Sequence, residues 1–125
     1  MKRHAIEAAH HAYAPYSRFT VGAAVLCPDG SIHAGANVEN ASFGLSICAE
    51  RNAVFRAVAA GARSIDAVLV YTPTGQPTPP CGACRQVLAE FGADALVVCC
   101  SDDAASERQF RLGDLLPDAF GPDHL

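Results

Sequence analysis

Two short apolar runs limit the fold more than anything else in the chain. Ile65–Thr72 (IDAVLVYT) and Ala95–Ser101 (ALVVCCS) are rich in β-branched residues and carry little that is polar. Such runs read as buried strands, and strands of that kind need helices to cover them. Helical spacing supplies the cover. Residues 47–60 are Ala-rich with Val54, Phe55 and Val58 at helical spacing, and Gly61 stands as the C-terminal stop. Cys81 to Phe91 repeats the pattern with Val87, Leu88 and Phe91 inward and Gly92 ending it. Between strand and helix, residues 73–80 hold four of the eight prolines and read as an irregular loop.

The N-terminal half adds a helix and a hairpin. Residues 2–13 place Ile6, Ala9 and Tyr13 on one face and stop at Ala14-Pro15. Thr20–Cys27 (TVGAAVLC) is followed by the turn signal Pro28-Asp29-Gly30, and Ser31–Asn37 returns as the second strand. Gln109–Leu112 reads as a short edge strand, and the residues after Leu115-Leu116-Pro117 as a tail. The order α-β-β-α-β-α-β-(β) predicts an α/β fold: a three-layer α/β/α sandwich around a mixed, roughly five-stranded sheet.

Composition sets the outer limits. With 125 residues the chain has room for one domain, expected over residues 1–125. Half of the residues are hydrophobic and 18% charged, which supports a packed core and argues against wholesale disorder. No apolar run approaches the roughly 18 residues that a membrane-spanning helix needs. The first sixteen residues mix Lys2, Arg3, Glu7 and three histidines, so no signal-peptide core is expected and the location expected is cytoplasmic. Net charge is −4, and the nine basic residues, of which Lys2 is the only lysine, are scattered. A polynucleotide partner would demand a basic stripe, so a small neutral or polar ligand fits better.

The chemistry lies in the cysteines. Cys48-Ala49-Glu50 and Pro80-Cys81-Gly82-Ala83-Cys84 each open a predicted helix. Helix N-termini present unpaired N–H groups and a positive dipole end, which favour the thiolate that a metal needs. Cys81 and Cys84 are three residues apart on one helical face and can share one ion, with Cys48 as a third ligand. Three thiolates point to zinc. Cys27, Cys99 and Cys100 sit in predicted strands and read as small buried hydrophobes, and no histidine has ligand spacing. A structural zinc site wants four protein ligands; three plus an open position is the catalytic arrangement. Glu50, two residues after the first ligand, is placed to move protons there.

Other readings compete. A lone Cys-x-x-Cys before a helix also suits a redox pair, although a dithiol exchanger needs neither Cys48 nor Glu50. Glu50 alone would pass as an ordinary first-turn acid. Zinc deaminases carry a His-x-Glu or Cys-x-Glu segment followed by Pro-Cys-x-x-Cys, with a glutamate that is not a ligand. The segments Cys48-Ala49-Glu50 and Pro80-Cys81-Gly82-Ala83-Cys84 match the three-cysteine form.

At this level the chain resembles the short, homotetrameric cytidine deaminases over nearly its whole length. The resemblance rests on Tyr16-Ser17-Arg18-Phe19 with Val21-Gly22-Ala23-Ala24, Asn37-Val38-Glu39-Asn40-Ala41-Ser42, Cys48-Ala49-Glu50-Arg51, Pro80-Cys81-Gly82-Ala83-Cys84-Arg85-Gln86 and the tail Leu115 to Pro122. It implies a cytidine deaminase-like fold and zinc-dependent hydrolysis of cytidine and 2′-deoxycytidine to the uracil nucleosides, a step of pyrimidine salvage. Cys48, Cys81 and Cys84 would hold one Zn2+ per chain, and Glu50 would shuttle protons between water, the ring nitrogen and the leaving amine.

The resemblance assigns further roles. Asn37 and Glu39, two apart near a strand end, would hold the ribose; by themselves they also suit a turn and an exposed acid. Phe19 would face the pyrimidine ring, although it could equally be core. The Ala49 backbone N–H would read the base's polar edge. Arg51 would donate to a cysteine sulfur and offset the excess thiolate charge, and Gln86 would support the site from behind the last ligand. Phe43 and Phe120 would complete active sites across subunits of a homotetramer. Relatives often carry Tyr where this chain has Phe43, so stacking remains there and a hydroxyl contact does not.

Three rivals stay in view. A sister deaminase acting on a modified nucleoside such as blasticidin S would share the zinc motif, but the Asn37–Asn40 segment favours an ordinary nucleoside. A polynucleotide-editing deaminase would need a basic, aromatic-lined surface. A non-enzymatic zinc or redox module would require a fourth ligand or a reversible Cys81–Cys84 disulfide.

Overall fold

The computed structural model describes residues 1–125. Its elements follow the predicted order: α1 (Lys2–Ala9), β1 (Gly22–Leu26), β2 (Ile32–Ala36), α2 (Ala49–Ala59), β3 (Ala67–Tyr71), α3 (Gly82–Phe91), β4 (Leu96–Cys100), β5 (Arg108–Arg111) and α4 (Leu112–Leu115). The strands form one mixed sheet in the order β2-β1-β3-β4-β5. Only β3 and β4 run parallel; the other neighbours are antiparallel.

Side-chain alternation along the strands makes the three layers. Ala23 and Val25 of β1, Val68 and Val70 of β3, and Val97 and Cys99 of β4 point to one face. There they meet Ala53, Val54 and Ala57 of α2 and Leu88 of α3. Ala24, Leu69, Tyr71 and Cys100 point to the other face and pack on Ala5 and Ala9 of α1. A strand period of two delivers successive residues to opposite faces, so the predicted sandwich follows from the apolar runs. No helix is long and apolar enough to cross a membrane.

Topology brings two helix starts to one end of the sheet. Because β1 is antiparallel to both neighbours, β2 and β3 run in the same direction. The chain leaving β2 enters α2, and the chain leaving β3 enters α3. Both N-termini therefore lie beyond the carboxyl ends of strands pointing the same way, where open α/β sheets bind ligands.

Three local expectations need correction. The first helix ends at Ala9 rather than continuing to Tyr13. Tyr13 instead pairs with the segment after β2: its N–H donates to the Asn37 carbonyl at 3.0 Å and its own carbonyl accepts from Glu39 at 2.8 Å. A tertiary ladder outcompetes one more helical turn. Phe55, at helical spacing with Val54 and Val58, does not join the core: α2 buries Ala49, Glu50, Ala53, Val54 and Ala57 and leaves Phe55 half exposed. The edge strand runs Arg108–Arg111 and stops short of Leu112, which instead opens α4 and is buried against the main core.

Candidate active site

Cys48 is the N-cap of α2 and Cys81 the N-cap of α3, while Cys84 lies in the first turn of α3. Their sulfur atoms all lie within 4.8 Å of one another, and Cys48 Sγ and Cys81 Sγ are 3.7 Å apart. Tetrahedral ligands at about 2.3 Å from zinc stand about 3.8 Å from each other, so that separation suits two sulfurs of one ion. None of the three is in a disulfide. The soft donor set and its spacing fit zinc.

The Cys48 and Cys84 sulfurs are hydrogen-bonded, with Cys48 the acceptor. Its thiol is pulled down to about 5, first by a hydrogen bond from the Cys84 thiol and also by Arg51 and Cys81. As the donor of that pair, Cys84 is pushed well above the usual thiol range. Arg51 Nη2 donates to Cys48 Sγ at 3.4 Å. The other cysteines stand apart: Cys27, Cys99 and Cys100 are buried, and burial pushes the Cys99 thiol up to about 11.

Beside the cluster is a cavity of about 180 Å³, bordered by Cys48, Cys81, Ala49, Glu50, Phe19 and Asn37. Glu50 is only 4% exposed, and burial raises its carboxyl to about 7. Val70 and Thr72 at the end of β3, with Thr78 and Pro79 from the proline-rich loop, close the remaining walls. Sequence reasoning did not single out these four; the end of a buried strand was the one available signal for Thr72.

The remaining candidate residues divide. Asn37 clamps the Phe19 segment: its Nδ2 donates to the Phe19 carbonyl at 2.8 Å and its Oδ1 accepts from the Val21 N–H at 2.9 Å. Glu39 lines a separate hollow with Tyr16, Ser17, Phe43 and Ser46, so Asn37 and Glu39 do not border one cavity. Asn37 is turned to the peptides of Phe19 and Val21, whereas Glu39 is turned to those of Tyr16 and Ser17. Phe43 is 75% exposed with its ring edge-on to Tyr16, and Phe120 is 59% exposed and stacked on His124. Neither borders the Glu50 cavity within this chain.

Gln86 has its hydrogen bond to the tail rather than to a cysteine. Its amide donates to the Phe120 carbonyl at 3.0 Å and so holds the tail. The residue before it is the one that supports the motif: Arg85 Nε donates to the Pro80 carbonyl at 2.8 Å, and Nη1 to the Leu115 carbonyl at 2.9 Å. Arg85 thereby ties the segment entering Cys81 to α4.

A three-sulfur metal centre beside a cavity with a buried carboxylate, at the strand ends of an α/β/α sandwich, defines a metal-dependent hydrolytic site. Residues 1–100 match the family described as the cytidine and deoxycytidylate deaminase zinc-binding region. The chain belongs to that family. It is 48% identical over 118 residues to a cytidine deaminase of Halalkalibacterium halodurans, covering 94% of this chain and 89% of that one. A Mycobacterium tuberculosis cytidine deaminase is 46% identical over 125 residues, covering 100% and 90%. The crystal structure of cytidine deaminase from Burkholderia pseudomallei superposes with a TM-score of 0.89 at 50% identity, covering 94% of each chain.

Proposed function

We propose that this protein hydrolyses cytidine and 2′-deoxycytidine to uridine and 2′-deoxyuridine with release of ammonia, as a step of pyrimidine salvage in the cytoplasm. The observation that carries the reading is Glu50, a buried carboxylate bordering the same cavity as Cys48 and Cys81. Cys48, Cys81 and Cys84 would hold one zinc ion. When bound, zinc supplies a Lewis acid that brings the ionisation of water towards neutrality.

Glu50 moves the protons. Its carboxylate takes one from the attacking water and delivers it to the ring nitrogen beside the amino-bearing carbon. After the carbon–oxygen bond has formed, Glu50 takes the remaining proton from the new hydroxyl and passes it to the amine; the carbon–nitrogen bond breaks, the carbonyl forms and ammonia leaves. One carboxylate serves both transfers because all the atoms concerned lie around one carbon.

The walls orient the nucleoside. Phe19 offers an aromatic face to the pyrimidine. The Ala49 N–H, in the first turn of α2 where no intrahelical acceptor exists, is free to read the base's polar edge. Asn37 on the Glu50 cavity and Glu39 on the hollow beside Ser17 would each take a ribose hydroxyl, the sugar reaching out of the cavity towards Glu39, and Arg51 offsets thiolate charge at Cys48. Exposure of Phe43 and Phe120 supports a homotetramer in which these rings close the sites of neighbouring copies.

The test is loss of cytidine and deoxycytidine absorbance in the ultraviolet, read beside ammonia release and zinc content. Turnover of both nucleosides with about one zinc per chain is expected. Bound zinc without turnover of either nucleoside would contradict the substrate assignment and favour a modified nucleoside. Size-exclusion chromatography with light scattering tests the oligomer, for which four chains are expected and a monomer would overturn the shared-site reading.

A further inference from the structure

One hydroxyl links the contacts that hold the segment carrying Phe19. Ser17 Oγ donates to Glu39 Oε2 and at the same time accepts the Phe19 backbone N–H at 3.0 Å. The other carboxylate oxygen, Glu39 Oε1, accepts the backbone N–H groups of Tyr16 at 3.0 Å and Ser17 at 3.1 Å. From the far side Asn37 holds the Phe19 carbonyl and the Val21 N–H. Phe19 is therefore fixed at both of its own peptide groups, by Asn37 on the carbonyl side and by Glu39 through Ser17 on the amide side.

The turn would not keep this shape unaided. Arg18, between Ser17 and Phe19, has a left-handed backbone with φ of +58°. A residue with a β-carbon adopts that conformation at a cost, and such conformations persist where surrounding contacts over-determine them. The contacts here are the four bonds on Glu39 and Ser17 Oγ, together with the Arg18 N–H to the Ala14 carbonyl at 2.9 Å.

We infer that Ser17 is a positioning residue for nucleoside binding: its hydroxyl couples Glu39 to the Phe19 backbone, so that the ring bordering the Glu50 cavity and the carboxylate outside it move as one unit. The inference rests on the deaminase reading for its substrate. Its structural half does not. Glu39 accepts bonds on both oxygens from this turn, so its direction is set before any ligand arrives. Preorganisation of this kind lowers the ordering cost of binding and leaves chemistry at Glu50 untouched, so it acts on KM rather than on kcat.

Ser17→Ala and Ser17→Thr separate the possibilities, because threonine keeps the hydroxyl. In Ser17→Ala the Phe19 amide should exchange its hydrogen on the order of tenfold faster, since a hydrogen bond of ordinary strength has gone. KM for cytidine should rise by a similar, roughly tenfold factor, with kcat within about twofold of wild type. Ser17→Thr should restore both values to within about threefold. A fall in kcat at unchanged KM, or a threonine variant as impaired as the alanine one, would overturn the positioning role. Equal Phe19 exchange in all three proteins would overturn the bridge itself. Wild-type protein with zinc but no turnover would instead refute the deaminase reading, and exchange at Phe19 would still decide whether the bridge exists.

Discussion

Gly35 of β2 lies directly against Ala53 of α2. A β-carbon at Gly35 would stand 2.5 Å from the Ala53 nitrogen and 2.9 Å from the Ala49 carbonyl oxygen. Both are backbone atoms, so no side chain can swing aside. The contact sets the distance between the strand leading to Asn37 and the helix that starts with Cys48, Ala49 and Glu50. Gly35→Ala should therefore destabilise the fold by about 1–3 kcal/mol, the usual range for overpacking. It should also lower activity by shifting the first turn of α2. Urea unfolding beside a cytidine assay checks both, and wild-type values in each would show that the helix can move without consequence.

Arg85 makes a second prediction. It satisfies the carbonyl of Pro80, a fully buried residue, and also reaches Leu115, thirty positions away. Arg85→Ala should cost about 1–3 kcal/mol by leaving a buried acceptor unpaired. With the link to α4 gone, the C-terminal segment should also be cleaved sooner in limited proteolysis. Unchanged unfolding and cleavage would mean that water replaces the guanidinium fully.

Tyr71 supplies a pH dependence. Its phenol donates to Asp102 at 2.5 Å, and that bond, with burial second, pushes its pKa up to about 12. The folded protein keeps this proton where an unfolded chain, with a tyrosine pKa of about 10, releases it. The stabilisation is whole below pH 10 and is lost as pH rises towards 12. Tyr71→Phe should thus be less stable than wild type by about 1 kcal/mol at pH 8, the net worth of one hydrogen bond. The gap should narrow above pH 10. Urea midpoints of both proteins at pH 8 and pH 11 test the sign, and a gap that widens would refute it.

Arg51 touches the cluster without being a metal ligand. Removing a group that tunes a metal ligand commonly costs 10–100-fold in activity or metal affinity. Arg51→Gln should lose about 10–100-fold in turnover while zinc stays at one per chain, because all three cysteines remain. Metal analysis on the assayed sample separates the effects. Full activity in this variant would remove the role given to Arg51.

Much of this was legible in the sequence because it is local. Cys81 and Cys84 are one helical turn apart, and the apolar runs of β3 and β4 announce their own burial. The hairpin follows from Pro28-Asp29-Gly30, whose Gly30 adopts φ of +87°. What escaped depends on distant partners. Asn37 and Glu39 line different hollows because each is turned to its own partners in the Tyr16–Val21 segment, and no period of two reveals that. The reach of Arg85 to Leu115, and of Gln86 to Phe120 rather than to the cysteines, likewise depends on how the tail folds back. The spacing of Val54, Phe55 and Val58 marks a helix but not which of them faces the sheet: Ala53, Val54 and Ala57 do, and Phe55 stays half exposed.

The central claim is that Glu50 is the proton-carrying residue and is not needed to hold the metal. Glu50→Gln keeps the size and the cavity wall but cannot carry a proton. Zinc content and cytidine turnover of that variant should therefore be measured on one sample beside wild type. About one zinc per chain with turnover down by at least ~10²-fold is the predicted result, in line with loss of a general acid–base group. Zinc-loaded Glu50→Gln protein that deaminates cytidine at the wild-type rate would contradict the account.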